Sequence, residues 1–218
     1  MQTKIPPWTF SQLDAFETCP RKYYHLRVAK DVVDPPNEAA LWGDRVHKSL
    51  ESRLLEKTPL PEGMNQWEPI MMKIERLPGE KHTEMKLALD ENFQPSDWKQ
   101  SWTRGIADVA IVSQSQGVVL DYKTGKRKPT DQLLLYAAYL FAYFPKVDVV
   151  DTVFVWLKEK KLDKEKVHRD ELPSIWKKFL PKYHKLVSAY ERDSWVPRPS
   201  GLCKGWCPCT GCEFNGKR

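Results

Sequence analysis

The chain has 218 residues, with 35 Lys and Arg against 29 Asp and Glu, a formal charge of +6, a pI near 9.0 and 41% hydrophobic residues. That is enough chain to bury a core, and no apolar run approaches the roughly 18 residues a membrane span needs. The positive excess suits a polyanionic partner, but it is too small for a bare nucleic-acid coat.

In chain order, helices are expected first. Cys19 lies in Cys19-Pro20-Arg21-Lys22-Tyr23, downstream of Ser11-Gln12-Leu13. Read alone, it is a small buried residue at a helix end. A second helix is expected over 38–56, with Trp42, Val46, Leu50 and Leu54 as its apolar stripe and His47 bordering it. An isolated histidine there reads as a packing residue. The segments 57–63 and 94–99 are rich in Pro and charge and read as loops. Thr83-Glu84-Met85-Lys86-Leu87-Ala88-Leu89 alternates like a strand, in which Glu84 alone reads as solvent-facing.

The most informative stretch follows. Residues 105–112 read as a strand, 114–117 as a turn, and Val118-Val119-Leu120-Asp121-Tyr122-Lys123 as the returning strand. Alternation along an extended chain puts Asp121 and Lys123 on one face and Tyr122 on the other. The hairpin brings Asp108 next to Asp121. Two adjacent carboxylates repel and lift a pKa unless a cation lies between them. Magnesium or manganese resolves the conflict, acidifies a bound water and leaves the neighbouring lysine to orient that water or stabilise phosphorane charge. The plainer alternative is a pair of strand-end residues solvated at a sheet edge.

Lys126, Arg127 and Lys128 follow directly and would crowd the mouth of such a site with phosphate-binding cations. Residues 131–144 lack Gly and Pro and read as a buried helix ending before Pro145, with Gln132 and Tyr136 one turn apart on one face. Those two residues read either as DNA binding or active-site support, or as a first-turn cap and a packed ring. Residues 149–157 read as a strand, 158–166 as a charged loop or hairpin, and 172–192 as a long amphipathic helix interrupted or kinked at Pro181. Four of the five cysteines crowd the tail as Cys203, Cys207, Cys209 and Cys212. The odd count and the lack of a secretory leader argue against a disulfide framework and toward thiolate ligation of zinc or an iron–sulfur cluster. Trp8, Tyr23, Tyr24 and Trp206 flank these cysteines and are expected to shield a cluster from water. With no repeat and no low-complexity linker, a single α/β domain over 1–218 is the economical reading.

Taken together, Asp108, Asp121 and Lys123, followed by Gln132 and Tyr136, resemble the PD-(D/E)XK nuclease superfamily, with Ala107 where the family name has proline. The Q-x-x-x-Y pair, the Cys19 segment and Gly43 with His47 resemble its RecB-like branch, which includes Cas4 and the nuclease domains of AddAB. The resemblance implies a restriction-endonuclease-like core, in which a central mixed sheet is flanked by helices. It implies Mg2+ or Mn2+ on Asp108 and Asp121, joined by His47 and Glu84, with Lys123, Gln132 and Tyr136 completing the catalytic set. It also implies a 4Fe–4S cluster on Cys19, Cys203, Cys207 and Cys212, joining the segments 1–30 and 195–218. Cys209 is surplus or a replacement, and a zinc site on the four tail cysteines is the alternative.

The implied function is a DNA exonuclease acting on ends or single strands in recombination, repair or end processing. It would be cytoplasmic, or in the host cytoplasm if phage-encoded, would need a helicase or recombination partner for any coupling to unwinding, and would have no membrane association. Two other classes compete: a noncatalytic metal-containing nucleic-acid adaptor with vestigial acids, and a thiol redox protein using Cys209 and Cys212. The intact acid–lysine set opposes the first, and the absence of a surrounding βαβ pattern opposes the second.

Overall fold

The alternation read in residues 105–123 forms the centre of a five-stranded mixed sheet in a computed structural model that describes residues 5–216. In spatial order its strands are β1 (Glu80–Leu89), β2 (Thr103–Ser113), β3 (Gln116–Lys123), β4 (Val149–Trp156) and β5 (Lys161–His168). The helices are α1 (Phe10–Thr18), α2 (Pro20–Tyr23), α3 (Glu38–Leu55), α4 (Glu68–Arg76), α5 (Gln132–Tyr143) and α6 (Leu172–Glu191). The chain divides into two units, Pro36–Ile175 and Met1–Pro35 with Trp176–Arg218.

In the unit Pro36–Ile175, β1, β2 and β3 pair antiparallel as a meander, β3 pairs parallel with β4, and β5 returns antiparallel on β4. The β2–β3 turn is tighter than expected. Ser113 pairs with Gln116, so only Gln114 and Ser115 turn, with Gln114 at φ +35. A parallel neighbour requires a crossover, and α5 supplies it. The residues read as a charged loop or hairpin form the hairpin, with β5 as its outer arm.

The sheet separates two apolar layers. Val109, Ile111, Leu120, Tyr122, Val153 and Val155 pack with Val46, Leu50 and Leu54 of α3 and with Met71 and Ile74 of α4. On α5, eight residues from Leu133 to Phe141 are buried, including Leu135, Ala137, Tyr139 and Leu140. A helix that is apolar all round is an interior helix, as expected. Two details correct the sequence reading. Trp42 leaves the stripe of α3 and is 39% exposed, with the Arg45 guanidinium 5.5 Å from its ring centroid. Helix α4 was not anticipated, although Pro69 at its start and the spacing of Trp67, Met71 and Ile74 mark it.

In the other unit, α1 opens with a capping box between Thr9 and Gln12. Cys19 ends α1 and begins α2 in extended backbone, and Pro20 takes the first helical position. Phe16, Tyr23, Tyr190 and Trp195 form an aromatic cluster, with Tyr23 stacked on Trp195 at 6.1 Å. Burial and the hydroxyl of Tyr190 push the Tyr23 phenol far above its ordinary range, so it is neutral. Helix α6 continues through Pro181 without the expected interruption.

Candidate metal centre

The pairing register assembles the acidic group. The β2–β3 ladder ends at Val109 opposite Leu120, so the next residues out are Asp108 and Asp121. Where the ladder stops, the Asp108 carboxylate replaces it. Its Oδ2 accepts the Tyr122 backbone N–H at 2.7 Å, which fixes the side chain and satisfies a donor that would otherwise be orphaned. On the other side, Thr83 pairs with Val109 and Met85 with Ala107, which sets Glu84 opposite Asp108. Glu84 has φ +46. A left-handed conformation inside a strand costs a non-glycine residue on the order of 1–3 kcal/mol, and such strain concentrates at functional positions.

Helix α3 adds the imidazole. His47 Nδ1 lies 3.3 Å from Asp108 Oδ1, and its ring stands edge-on to Tyr122 at 6.0 Å. Burial pushes the His47 pKa down, but the hydrogen bond and charge of Asp108 and the charge of Asp121 outweigh this and raise it above its ordinary value. In the absence of a metal, a proton therefore competes for the position a cation would fill. Ligand atoms of His47, Glu84 and Asp108 all lie within 4.8 Å of one another. Together with Asp44, Glu51 and Lys48 they line an open groove beside α3. Asp44 and Glu51 were not singled out from the sequence, yet three residues before and four after His47 is the helical spacing that shares its face.

Alternation places Tyr122 in the core with α3 and α4, while Asp121 and Lys123 face the other way, toward the start of α5. Gln132 Nε2 donates to Asp121 Oδ1 at 2.9 Å, and Lys123 Nζ donates to Gln132 Oε1 at 2.8 Å. Lys123 Nζ also stands 2.6 Å from Asp121 Oδ2, near enough for an ion pair but without hydrogen-bond directionality. That oxygen is buried and has no hydrogen-bond partner. Asp121 is 5% exposed; burial and then the charge of Asp108 push its pKa up to about 6, against the pull of Lys123.

A buried carboxyl whose pKa is raised in spite of its lysine partner and a cluster of hard oxygen and imidazole donors fit a divalent cation. Tyr136 stands behind Gln132. Its phenol is raised to about 12 by burial, tempered by a hydrogen bond with Gln132. A Cβ on Gly105 would lie 2.5 Å from the Tyr136 ring, so this close approach requires glycine there.

The three cations after Lys123, namely Lys126, Arg127 and Lys128, are all exposed, and Arg127 is paired with Asp163.

All five cysteines line one cavity in the unit that holds both chain ends, together with Arg21, Lys22, Arg198 and Asn215. Arg198 N–H points at Cys19 Sγ and Ser200 N–H at Cys203 Sγ, each at 3.5 Å. Only Cys209 is buried, and burial followed by the neighbouring Cys207 raises its thiol to about 12. Among the described residues, no three of these sulfurs lie within 4.8 Å of one another. Trp206 is 75% exposed and does not cover the cavity as expected.

A family model described as the PD-(D/E)XK nuclease superfamily matches residues 7–216. No curated protein is similar enough to match. Among solved structures, SSO0001 aligns with a TM-score of 0.48 at 16% identity, over 98% of this chain and 89% of that one. A protein from Eubacterium rectale named "Putative exonuclease" aligns with a TM-score of 0.52 at 14% identity, over 91% of this chain and 86% of that one, a likeness of fold.

Proposed function

Because the chain belongs to the PD-(D/E)XK nuclease superfamily, we propose that it hydrolyses DNA phosphodiester bonds as a Mg2+- or Mn2+-dependent exonuclease working on ends or single strands. The observation that carries this is the gathering of His47, Glu84 and Asp108 within 4.8 Å, together with the buried, raised carboxyl of Asp121 on the neighbouring strand, ion-paired to Lys123. Asp108, Asp121, His47 and Glu84 would hold the cation. A divalent ion so held acidifies water and stabilises charge on the attacked phosphate.

The chain's own residues do the positioning. Asp108 is locked by the Tyr122 amide, and Asp121 by Gln132. Gln132 also fixes the Lys123 ammonium, which is set to orient the attacking water and to meet phosphorane charge. Tyr136, one turn further along α5, lies close enough to Gln132 to feel its amide. No helix among the described residues is long and apolar enough to cross a membrane.

In this reading the whole chain is one nuclease domain, of the RecB-like kind. Cys19, Cys203, Cys207 and Cys212 would hold a 4Fe–4S cluster that staples 1–30 to 195–218, with Cys209 as a fifth, surplus thiol. The shared cavity and the N–H groups aimed at two sulfurs support a thiolate-bound centre, and the inclusion of Cys19 in that cavity favours the cluster over a zinc site made of the tail cysteines alone. Recombination, repair or end processing, with a helicase as partner, are the settings such an enzyme would serve.

End-labelled single-stranded DNA incubated with Mg2+ or Mn2+ tests the activity. Linear strands are expected to be degraded while circular ones persist. Asp121→Ala is expected to lower the rate at least about a thousandfold, the scale of losing several kcal/mol of transition-state stabilisation, with DNA binding retained. A wild-type protein that binds DNA and leaves it intact with either metal would establish the adaptor instead.

A further inference from the structure

We propose that Arg127 is a positioning residue: it fastens the loop 124–131 to the β4–β5 hairpin and so presents Lys126 and Lys128 to substrate phosphates, rather than binding phosphate itself. The proposal rests on the nuclease reading for its substrate and on geometry for the anchor. The loop has no regular structure, yet it is the covalent link between Lys123 at the end of β3 and Gln132 at the start of α5. Both of those side chains are committed to Asp121.

A flexible link would serve that geometry poorly. Arg127 Nε donates to Asp163 Oδ2 at 2.7 Å, and Nη2 donates to Oδ1 of the same carboxylate at 2.5 Å, a two-pronged match. Its backbone N–H donates to Glu159 Oε1 at 3.2 Å. Asp163 is itself oriented by the Trp156 indole N–H, at 2.7 Å. Arg127 therefore grips the hairpin by backbone and side chain at once. From Thr124 to Pro129 every hydrogen bond of the described residues runs through Arg127. All three cations are exposed, but the charge of Arg127 is already met by Asp163, with Glu159 close by, whereas among the described residues Lys126 and Lys128 on either side have no such partner.

The anchor and the phosphate ligand give opposite patterns. Without DNA, cleavage of the folded protein at the 126–127 bond by a lysine-specific protease reports loop opening. Asp163→Ala and Arg127→Ala are expected to accelerate it about tenfold, and the double variant no more than either. Binding of a fluorescent 20-mer oligothymidylate is then measured in EDTA over a range of salt. Lys126→Ala and Lys128→Ala should each flatten the slope of log affinity against log salt by about 0.7, the loss of one phosphate contact on a single strand. Arg127→Ala and Asp163→Ala should weaken binding equally, and the swapped pair Arg127→Asp with Asp163→Arg should recover part of the loss.

A slope change in Arg127→Ala, with Asp163→Ala binding as well as wild type or better, would make Arg127 the phosphate ligand and overturn the proposal. Unchanged protease cleavage in Asp163→Ala would overturn the anchor whatever the DNA results. A wild-type protein that ignores the oligonucleotide but shows accelerated cleavage in both variants would remove the nuclease reading and leave the anchor standing.

Discussion

The acidic group and the cysteine cavity both gather side chains of the kinds that ligate metals, but they are held together by different means. His47, Glu84, Asp108 and Asp121 are placed by sheet register and by the packing of one helix, and most are pinned by an ordinary hydrogen bond or ion pair from the chain itself. The cysteines come from residue 19 and residues 203–212 and are mostly half-buried; hydrogen bonds such as those Asn215 donates to the Cys207 and Cys209 carbonyls hold their backbone, while only long N–H contacts reach the sulfurs of Cys19 and Cys203. In the proposed reading, backbone pairing preorganises the first site before any cation arrives, and the second would depend more heavily on what its thiolates bind.

The sharpest way to test that contrast is to remove one ligand from each. Beyond the loss of hydrolysis expected for Asp121→Ala, that variant should keep its fold, because the register does not need the carboxylate. Cys19→Ser should do the reverse. Without a cross-link between distant segments, a cost of roughly 2–5 kcal/mol, as for a lost long-range staple, should lower the Tm by about 5–15 °C. Protein purified without oxygen should also lose its brown colour and its absorbance near 400 nm, roughly the region expected for thiolate-bound iron. Equal thermal losses in the two variants would erase the distinction.

A smaller effect sharpens the preorganised side. Gln132→Ala removes the amide that bridges Asp121 and Lys123 while leaving every proposed cation ligand in place. Groups that orient metal ligands typically account for 10–100-fold in affinity or activity, so kcat should fall by about that factor. KM for DNA should hold, since Gln132 is placed behind the site rather than in the substrate path. A variant that loses DNA binding instead would make Gln132 a substrate contact.

How much of this could be read in the residues follows the same division. The hairpin, the buried helix α5 and the nearness of Asp108 to Asp121 were legible because side-chain periodicity and turn residues act locally. What was not legible is what depends on approach from elsewhere. The left-handed Glu84, the need for glycine at 105 against the Tyr136 ring, and the capture of Arg127 by Asp163 are set by neighbours distant in sequence. Trp42 and Trp206 were misplaced because an aromatic at an apolar spacing carries no sign of whether another surface covers it. Helix α4 escaped because its nine residues are a short window for helical periodicity, although its proline start was there to be read.

The smallest expected effect is one of stability, and its sign follows from Asp121. Its folded pKa is raised to about 6, from an ordinary carboxylate value. A carboxyl that binds its proton more tightly when folded contributes stability at low pH and loses it as pH rises through the folded pKa. In metal-free protein, then, ionised Asp121 is a burden above about pH 6. Asp121→Asn, which cannot ionise, should melt a few degrees higher than wild type at pH 7.5, on the order of 2–4 °C for each kcal/mol at this chain length. The gap should close between pH 6 and pH 4. Adding Mn2+ at pH 7.5 should raise the wild-type Tm and move the variant much less, because a ligand stabilises only the form that binds it. Parallel melting of the two proteins from pH 4 to 8 would mean that Lys123 fully neutralises the carboxylate, and that the acidic site carries no strain for a cation to relieve.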